Sequence, residues 1–370
     1  MNYVLVGDGQ SPHLLKWVNA LLAVKAPALT VCLVSSRGLH PELQAKVDAG
    51  LLPSERVLCL GHRTAAQGGA RGWLGRVPAV AAALRRWQAQ VVHAHYLTSH
   101  GSLAWLALAW NRWRGTTGPA PLLLSSAWGS DVLVTPQRRP MARWLLRRVL
   151  AASALCSSDS EHMAQRMRPW GARQVQVFPF GLPELPPAPL RKDAHLFFAN
   201  RGLEPVYRPQ RVLELFGRIA SQWPTARLAV ANTGSLLGAL QQQAQAMGLA
   251  HRISWLGHLS AEAQTSWYQR AQWYLSLPAS DSVSVSVIEA MAHGAVPLLS
   301  DLPANRELVD SGHNGLIVND LDEAVQALGA LQQRAAEVAA HNRAWVMAHG
   351  LFPPQVQAWV EQVQARLAAP

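Results

Sequence analysis

The chain reads as an α/β protein of two parallel units, and three observations predict this. Short apolar runs of strand character alternate with helix-period segments along the chain, the pattern of parallel strands joined by helical crossovers. A Pro-rich stretch, Leu182-Pro-Glu-Leu-Pro-Pro-Ala-Pro-Leu190, breaks the alternation near the middle, because it can continue neither a helix nor a central strand. The length, 370 residues, suits two domains of ordinary size.

Taken in order, the first half offers strands at 3–6, 29–35, 56–60, 91–94 and 122–126, with helices over 12–24, 76–88, 101–114, 140–152 and 160–170. In the second half strands are expected at 195–199, 227–231, 252–255, 273–277, 295–300 and 316–318, with helices between them. The tail after Pro353-Pro354 has helical apolar spacing. The expected organisation is a first domain over 1–183, a linker over 184–193, a second domain over 194–352 and a final helix over 353–370. In doubly wound sheets ligands sit beyond the carboxyl ends of the strands, so two facing domains would enclose a cleft.

Composition narrows the classes. At 49% hydrophobic and 15% charged, the chain can bury sizeable cores and is not disordered. Its longest apolar stretches, such as 103–110, fall well short of the roughly 20 residues that span a bilayer. The N-terminus reads as a first strand and its loop, not as a signal peptide. Cys32, Cys59 and Cys156 lack metal-site spacing and suggest a reducing compartment, so the expected address is cytoplasmic. The net charge of +11 is lopsided: residues 1–190 hold 20 Lys/Arg against 8 Asp/Glu, and residues 191–370 hold 13 against 14. That imbalance suggests a first half that faces something anionic.

The most informative stretch is 278–316, PASDSVSVSVIEAMAHGAVPLLSDLPANRELVDSGHNGL. Asp281 and Glu289 lie eight residues apart across a Ser/Val run that opens a helix; a buried strand (VPLLS) follows, then a short helix starting near Asn305. A small-residue loop feeding a helix start gathers backbone N–H groups and the positive end of the helix dipole, which suits phosphate. An acid before the loop and another one turn into the helix can hold hydroxyls on either side. Phosphate flanked by two polyols describes a nucleotide sugar.

This segment resembles the donor-binding motif of the family 4 glycosyltransferases, retaining enzymes of the GT-B fold, in which an acid, seven intervening residues and a Glu precede Ala-Met-Ala. Asp281 stands where Glu is commoner, and Ser282, Val283 and Ser284 replace the usual Gly-Phe-Gly, as in a subgroup that works on bacterial cell-surface polysaccharides. The resemblance implies two Rossmann-like domains facing each other across a cleft, with the final helix crossing back to the first. It implies that Glu289 grips the ribose hydroxyls and that Asp281 positions donor-sugar hydroxyls near the anomeric carbon, where its charge could also steady a developing cation. Arg201, in Phe198-Ala-Asn-Arg201, matches the Arg beside the diphosphate. The Lys expected about five residues on is absent, with Val206 or Tyr207 in its place and Arg208 close by. Backbone N–H groups around Ser284, Val285, Ser286 and Val287 would complete the diphosphate site. Gly234, in Asn232-Thr-Gly-Ser235, and Leu256, in Leu256-Gly-His258, match loops near the donor and its nucleobase.

Three first-half segments fit the same picture. Gly7-Asp-Gly-Gln-Ser-Pro-His13 follows the first strand and enters a helix, and Gly7 and Gly9 let backbone approach a bound group. The resemblance places this loop near the donor phosphates, with His13 on the acceptor side. His93 and His95 share a face of the fourth strand because strand side chains alternate, and His95 matches the family histidine beside the donor sugar. Asp131, in Trp128-Gly-Ser-Asp131, matches a turn on the acceptor side. Asp320-Leu-Asp322 looks like a metal-binding Asp-x-Asp, but it sits at a helix start where Asp is a favoured cap. Asn314-Gly is a turn signal. No metal and no cofactor are implied, the nucleoside diphosphate sugar being a donor substrate.

Over 138–150, Arg139, Arg143 and Arg147 align at four-residue helical steps beside an apolar stripe of Met141, Leu145 and Val149, with Trp144 suited to an interface. Arg85, Arg86, Arg112 and Arg114, with Trp87, Trp105, Trp110 and Trp113, would extend this into a surface for an anionic membrane. No nucleic-acid-binding motif accompanies the charge. The sequence thus predicts a metal-independent retaining hexosyltransferase acting on a glycan or lipid-linked acceptor, cytoplasmic and peripheral on the inner face of the plasma membrane. A sugar-nucleotide epimerase of the same fold and an inactive partner subunit are the alternatives, the latter motivated by the absent Lys and by Asp at 281.

Overall fold

The computed structural model describes residues 1–25, 29–61, 75–115, 118–189 and 191–368, the side chain of Arg138 apart. They form two compact units, Met1–Phe178 with Phe352–Pro370, and Pro179–Leu351. The first holds a seven-stranded sheet in the order β3-β2-β1-β4-β5-β6-β7. Its strands are β1 (Asn2–Gly7), β2 (Thr30–Ser35), β3 (Val57–Cys59), β4 (Val91–His95), β5 (Leu122–Ser126), β6 (Leu155–Ser158) and β7 (Val175–Val177). The second holds six strands in the order β10-β9-β8-β11-β12-β13: β8 (Asp193–Ala199), β9 (Arg227–Ala231), β10 (Ile253–Gly257), β11 (Ala271–Ser276), β12 (Val296–Ser300) and β13 (Leu316–Val318). Every pairing between these strands is parallel.

Parallel strands covered on both faces read as continuous apolar runs, and alternation sorts their side chains between the two faces. Phe197 and Trp273 stack 5.7 Å apart in one core, whereas Phe198 and Tyr274 enter the other with Tyr268, Ile288 and Met291. Patterning omits β6 because Leu-Cys-Ser-Ser is too polar. Its buried serine is matched instead: Ser157 Oγ lies 2.6 Å from Ser126 Oγ, and Ser153 Oγ just before β6 lies 2.7 Å from Ser125 Oγ. The short β7 is likewise omitted. Helix Pro41–Asp48 carries too faint a pattern, since Leu43 is its one buried residue.

The short helix expected near Asn305 begins earlier, as Pro303–Arg306, because proline presets φ for a first turn. Asn314 is more than a turn residue: it is buried, and its Nδ2 donates to Leu308 O at 3.0 Å and to Asn342 Oδ1 at 2.9 Å. Asp320 does cap its helix, accepting from Asp322 N at 2.8 Å and Glu323 N at 3.0 Å.

Strand order reverses between β1 and β4, and again between β8 and β11. At such a reversal the loops leaving the carboxyl ends diverge and open a crevice. Gly7 and His95 end β1 and β4, while Ala199 and Ser276 end β8 and β11.

Helix Phe352–Ala368 belongs to the first unit, where it packs on helix Pro12–Ala23. Trp359 is fully buried, donates Nε1–H to Tyr3 Oη at 2.8 Å and stacks on His93 at 5.2 Å. Trp17 lies edge-on to both Trp359 and Phe352. Trp359→Ala is therefore expected to cost the first unit about 3–5 kcal/mol, seen as a lower urea midpoint; an unchanged midpoint would contradict this packing.

Candidate functional site

In the second unit, the segments after β8 and β11 bring Arg201 and Asp281 together. Arg201 Nη2 meets Asp281 Oδ2 at 2.6 Å, and its Nη1 donates to Ser284 Oγ at 2.6 Å and Ser286 Oγ at 3.3 Å. Its guanidinium lies 4.5 Å from the Tyr207 ring centroid, so an aromatic face stands where a Lys was expected. Burial raises the Asp281 carboxyl against the pull of Arg201. Burial also works against charge on Arg201, but Asp281 and three tyrosines outweigh it and raise the guanidinium. The two directions oppose each other over one pair. The short contact, with Ser282 N–H donating to Asp281 Oδ1 at 3.1 Å, keeps the pair ionised.

Helix Val285–Ala292 starts after Ser284, whose side chain does not cap it but faces Arg201. Val287 N–H donates to Ser284 O at 3.1 Å, so that amide belongs to the helix; the amides of Val285 and Ser286 make no backbone bond among the described residues. One turn in, Glu289 Oε2 accepts from Tyr268 Oη at 2.9 Å and from Gln264 Nε2 at 3.4 Å. Asn200 sits between two tyrosines, its Nδ2 2.7 Å from Tyr268 Oη and its Oδ1 2.7 Å from Tyr274 Oη. Tyr274 Oη lies 2.8 Å from Ser286 Oγ, which lies 2.8 Å from Ser284 Oγ. Burial raises both tyrosines, so their hydroxyls keep their protons.

The remaining second-unit candidates border the same sheet edge. Arg208 adopts a left-handed backbone (φ 45) before helix Pro209–Gln222, and its Nη2 donates to Pro278 O at 3.3 Å. Gly234 is pressed on Leu203, where a Cβ would come within 2.4 Å of the carbonyl oxygen. Asn232 donates through Nδ2 to Asn200 O at 2.7 Å and through its backbone to Gly257 O at 2.6 Å, tying the loops after β8, β9 and β10 together. Leu256 is half-buried against the core.

In the first unit, packing demands glycine at Gly9 and leaves little room at Gly7. A Cβ on Gly7 would come within 2.9 Å of Leu14 Cδ1, and one on Gly9 within 2.4 Å of Ser35 Oγ. His95 is fully buried, and neither ring nitrogen has a hydrogen-bond partner among the described residues. Its ring lies 4.2 Å from His93 and 5.8 Å from Trp128, which meets His13 at 5.1 Å. Asp131 accepts from Leu97 N at 2.7 Å and Trp128 N at 3.0 Å, bracing the turns after β4 and β5; burial pushes its carboxyl up to about 6. His13, His95 and Asp131 thus gather around Trp128. His93 is instead satisfied structurally, between Tyr3 Oη at 2.8 Å and Ser126 Oγ at 2.7 Å. Tyr268, Tyr274 and Asn200 escape sequence reasoning, since buried aromatics on separate elements read as core.

Helices Val77–Arg86, Ser102–Trp113 and Pro140–Ala152 pack in succession and carry no acidic residue. Arg85, Arg86, Arg112, Arg114, Arg143 and Arg147 are exposed on them or beside them. Trp113, Met141 and Trp144 are 77%, 69% and 47% exposed. Two expectations need correction. Trp87 is buried, donating to Glu55 O at 2.8 Å, and does not join this face. The buried stripe of Pro140–Ala152 is Leu146, Val149 and Leu150, which join a core with Met163 and Met167; Met141, in the first turn, lies outside it. Among the described residues, no helix is long and apolar enough to cross a membrane, and no group of three His, Cys, Asp or Glu is placed to hold a metal ion.

The Glycosyl transferase 4-like domain family matches residues 8–181, and the Glycosyl transferases group 1 family matches residues 186–334. The chain belongs to the GT-B glycosyltransferases. No curated protein matches this glycosyltransferase by sequence. Solved structures share its fold. HepE of Anabaena in complex with UDP has 12% identity and a TM-score of 0.73, over 99% of this chain and 100% of that one. Sucrose-phosphate synthase from Thermosynechococcus elongatus has 15% identity and a TM-score of 0.70, over 99% and 100%. The lipopolysaccharide outer core galactosyltransferase WaaB, in its apo form, has 14% identity and a TM-score of 0.68, over 92% and 95%.

The buried histidines of this glycosyltransferase make a pH prediction. Burial first of all lowers His13 and His100 to about 4 and His93 to about 3. The folded chain keeps them neutral, while the unfolded chain takes up protons near about pH 6.5. Their stabilisation is complete above that pH and is lost as pH falls toward the folded values; Asp131, raised, opposes this loss in part. Urea midpoints read by Trp fluorescence should fall from about pH 7 to about pH 4.5, and His93→Gln should flatten the fall. A level wild-type profile would show that these rings protonate within the fold.

Proposed function

We propose that this glycosyltransferase moves a hexose, with retention and without a metal, from a nucleoside diphosphate sugar to a hydroxyl of a glycan or lipid-linked acceptor in bacterial surface polysaccharide or glycoconjugate synthesis. The observation that carries this reading is the gathering of Arg201, Asp281, Ser284, Ser286 and Glu289 around one helix start, beside the strand-order reversal of the second sheet. Glu289, with Oε2 fixed by Tyr268, takes the ribose hydroxyls. Arg201 and the amides of Val285 and Ser286 neutralise the departing diphosphate, with Arg208 as the second cation. A diphosphate on Arg201 frees Asp281 to turn to the sugar hydroxyls. Asp281 is held by a guanidinium, which suits a positioning carboxylate better than a nucleophile. The reading therefore favours attack on the face of departure over a covalent glycosyl-enzyme. On the first unit, the ring of His95, which has no hydrogen-bond partner among the described residues, suits a sugar hydroxyl.

HepE is described in complex with UDP and with UDP-glucose, which makes UDP the first probe. Calorimetry with UDP, GDP and ADP should show binding of one of them, and Glu289→Ala should weaken it by about tenfold or more. Failure of all three to bind would overturn the reading; a new epimer formed from donor alone would point to an epimerase instead.

The arginines of three helices that themselves carry no acid, with exposed Trp113, Met141 and Trp144, support an address at an anionic leaflet, where each basic group adds about 1 kcal/mol or less. The protein should sediment with phosphatidylglycerol vesicles at low salt and leave them at high salt. Recovery in the supernatant under both conditions would count against that address.

A further inference from the structure

Proton counting orders the contacts around Arg201 and Glu289 into one directed chain. A guanidinium only donates, so Ser284 Oγ accepts from Arg201. A carboxylate only accepts, so the single proton of Tyr268 goes to Glu289 Oε2 at 2.9 Å, in preference to Ser286 O at 3.2 Å. Tyr268 must then accept from Asn200, which turns the amide Nδ2 toward Tyr268 and the amide oxygen toward Tyr274. Tyr274 gives its proton to that oxygen and accepts from Ser286, which in turn accepts from Ser284. Arg201 Nη1 also reaches Ser286 Oγ directly at 3.3 Å, so Ser286 gathers both routes from the cation; from there each tyrosine hydroxyl donates once and accepts once on the way to the anion, the arrangement in which successive bonds polarise one another.

We propose that Tyr268, Asn200 and Tyr274 are positioning residues that set the two ends of the donor site as one unit. The guanidinium offered to the diphosphate and the carboxylate offered to the nucleoside are then coupled through the protein. The three residues come from helix Ala261–Arg270, the segment after β8 and β11, and all are buried, so water does not interrupt them. His293 stacks on Tyr268 with 5° between the rings and restrains the plane of the ring that carries the hydroxyl. This inference rests on the donor-site reading above.

The test is a double-mutant cycle by calorimetry, using whichever of UDP, GDP and ADP the wild type binds. Tyr268→Phe acts at the Glu289 end and Ser286→Ala at the Arg201 end, where both routes from the guanidinium meet, on side-chain hydroxyls that are not bonded to each other. Each single variant should weaken binding about fivefold, and the double variant should lose about as much as one single rather than the roughly 25-fold product. Tyr274→Phe interrupts the chain at its middle and should match the singles, which keeps the test open should either end variant fail to fold. A multiplicative double variant, or a Tyr268→Phe that binds like wild type, would overturn the coupling alone. A wild type that binds none of the three nucleotides would overturn the donor-site reading itself.

Discussion

A guanidinium and two carboxylates held half-buried at the edge of an apolar sheet need polar partners, and the second unit supplies them to both carboxylates and to both terminal nitrogens of Arg201, leaving its Nε without one among the described residues. Arg201 and Asp281 neutralise each other, and Tyr207 supplies an aromatic face without adding charge. A lysine in its place would leave an uncompensated cation whenever the donor is absent. Ser284, the last residue of the triplet that stands in place of Gly-Phe-Gly, supplies a hydroxyl that a glycine could not, which gives that departure a physical purpose.

How much of this was legible follows from how local each feature is. Asp281 and Glu289 could be read together because one loop and one helical turn contain both. The strands could be read because burial on two faces leaves an apolar run. β6 could not, since its serines are satisfied by serines of other segments, and pairing between distant serines has no local spacing. The same holds for Asn200, Tyr268 and Tyr274, which converge from three elements. His93 and His95 were legible as one face of β4, and the resemblance singled out His95, but what holds each ring was not. Only the fold shows Tyr3 and Ser126 holding one ring and, among the described residues, nothing comparable holding the other.

Charge is divided as unevenly in space as along the chain. The second unit places its key cation within a network of hydrogen bonds, whereas the first displays arginines on helices that hold no acid. Arginine suits that display because its flat head stacks on indole, as Arg114 does on Trp110 and Arg148 on Trp144, each 5.3 Å from the ring centroid. Basic and aromatic groups are thereby held in one layer, while Leu146, Val149 and Leu150 beneath them anchor the last of these helices to its sheet.

The first unit is not continuous in the chain: Met1–Phe178 is completed by Phe352–Pro370, with the whole second unit between. On the ribosome, where a chain emerges from its N-terminus, β1 and helix Pro12–Ala23 must wait for Trp359 and Phe352 until every strand of the second sheet has been made. The second unit, though later in the chain, has all its parts first. Until translation passes Trp359, the Tyr3 and Trp17 side chains lack the aromatic cover that Trp359 and Phe352 later give them.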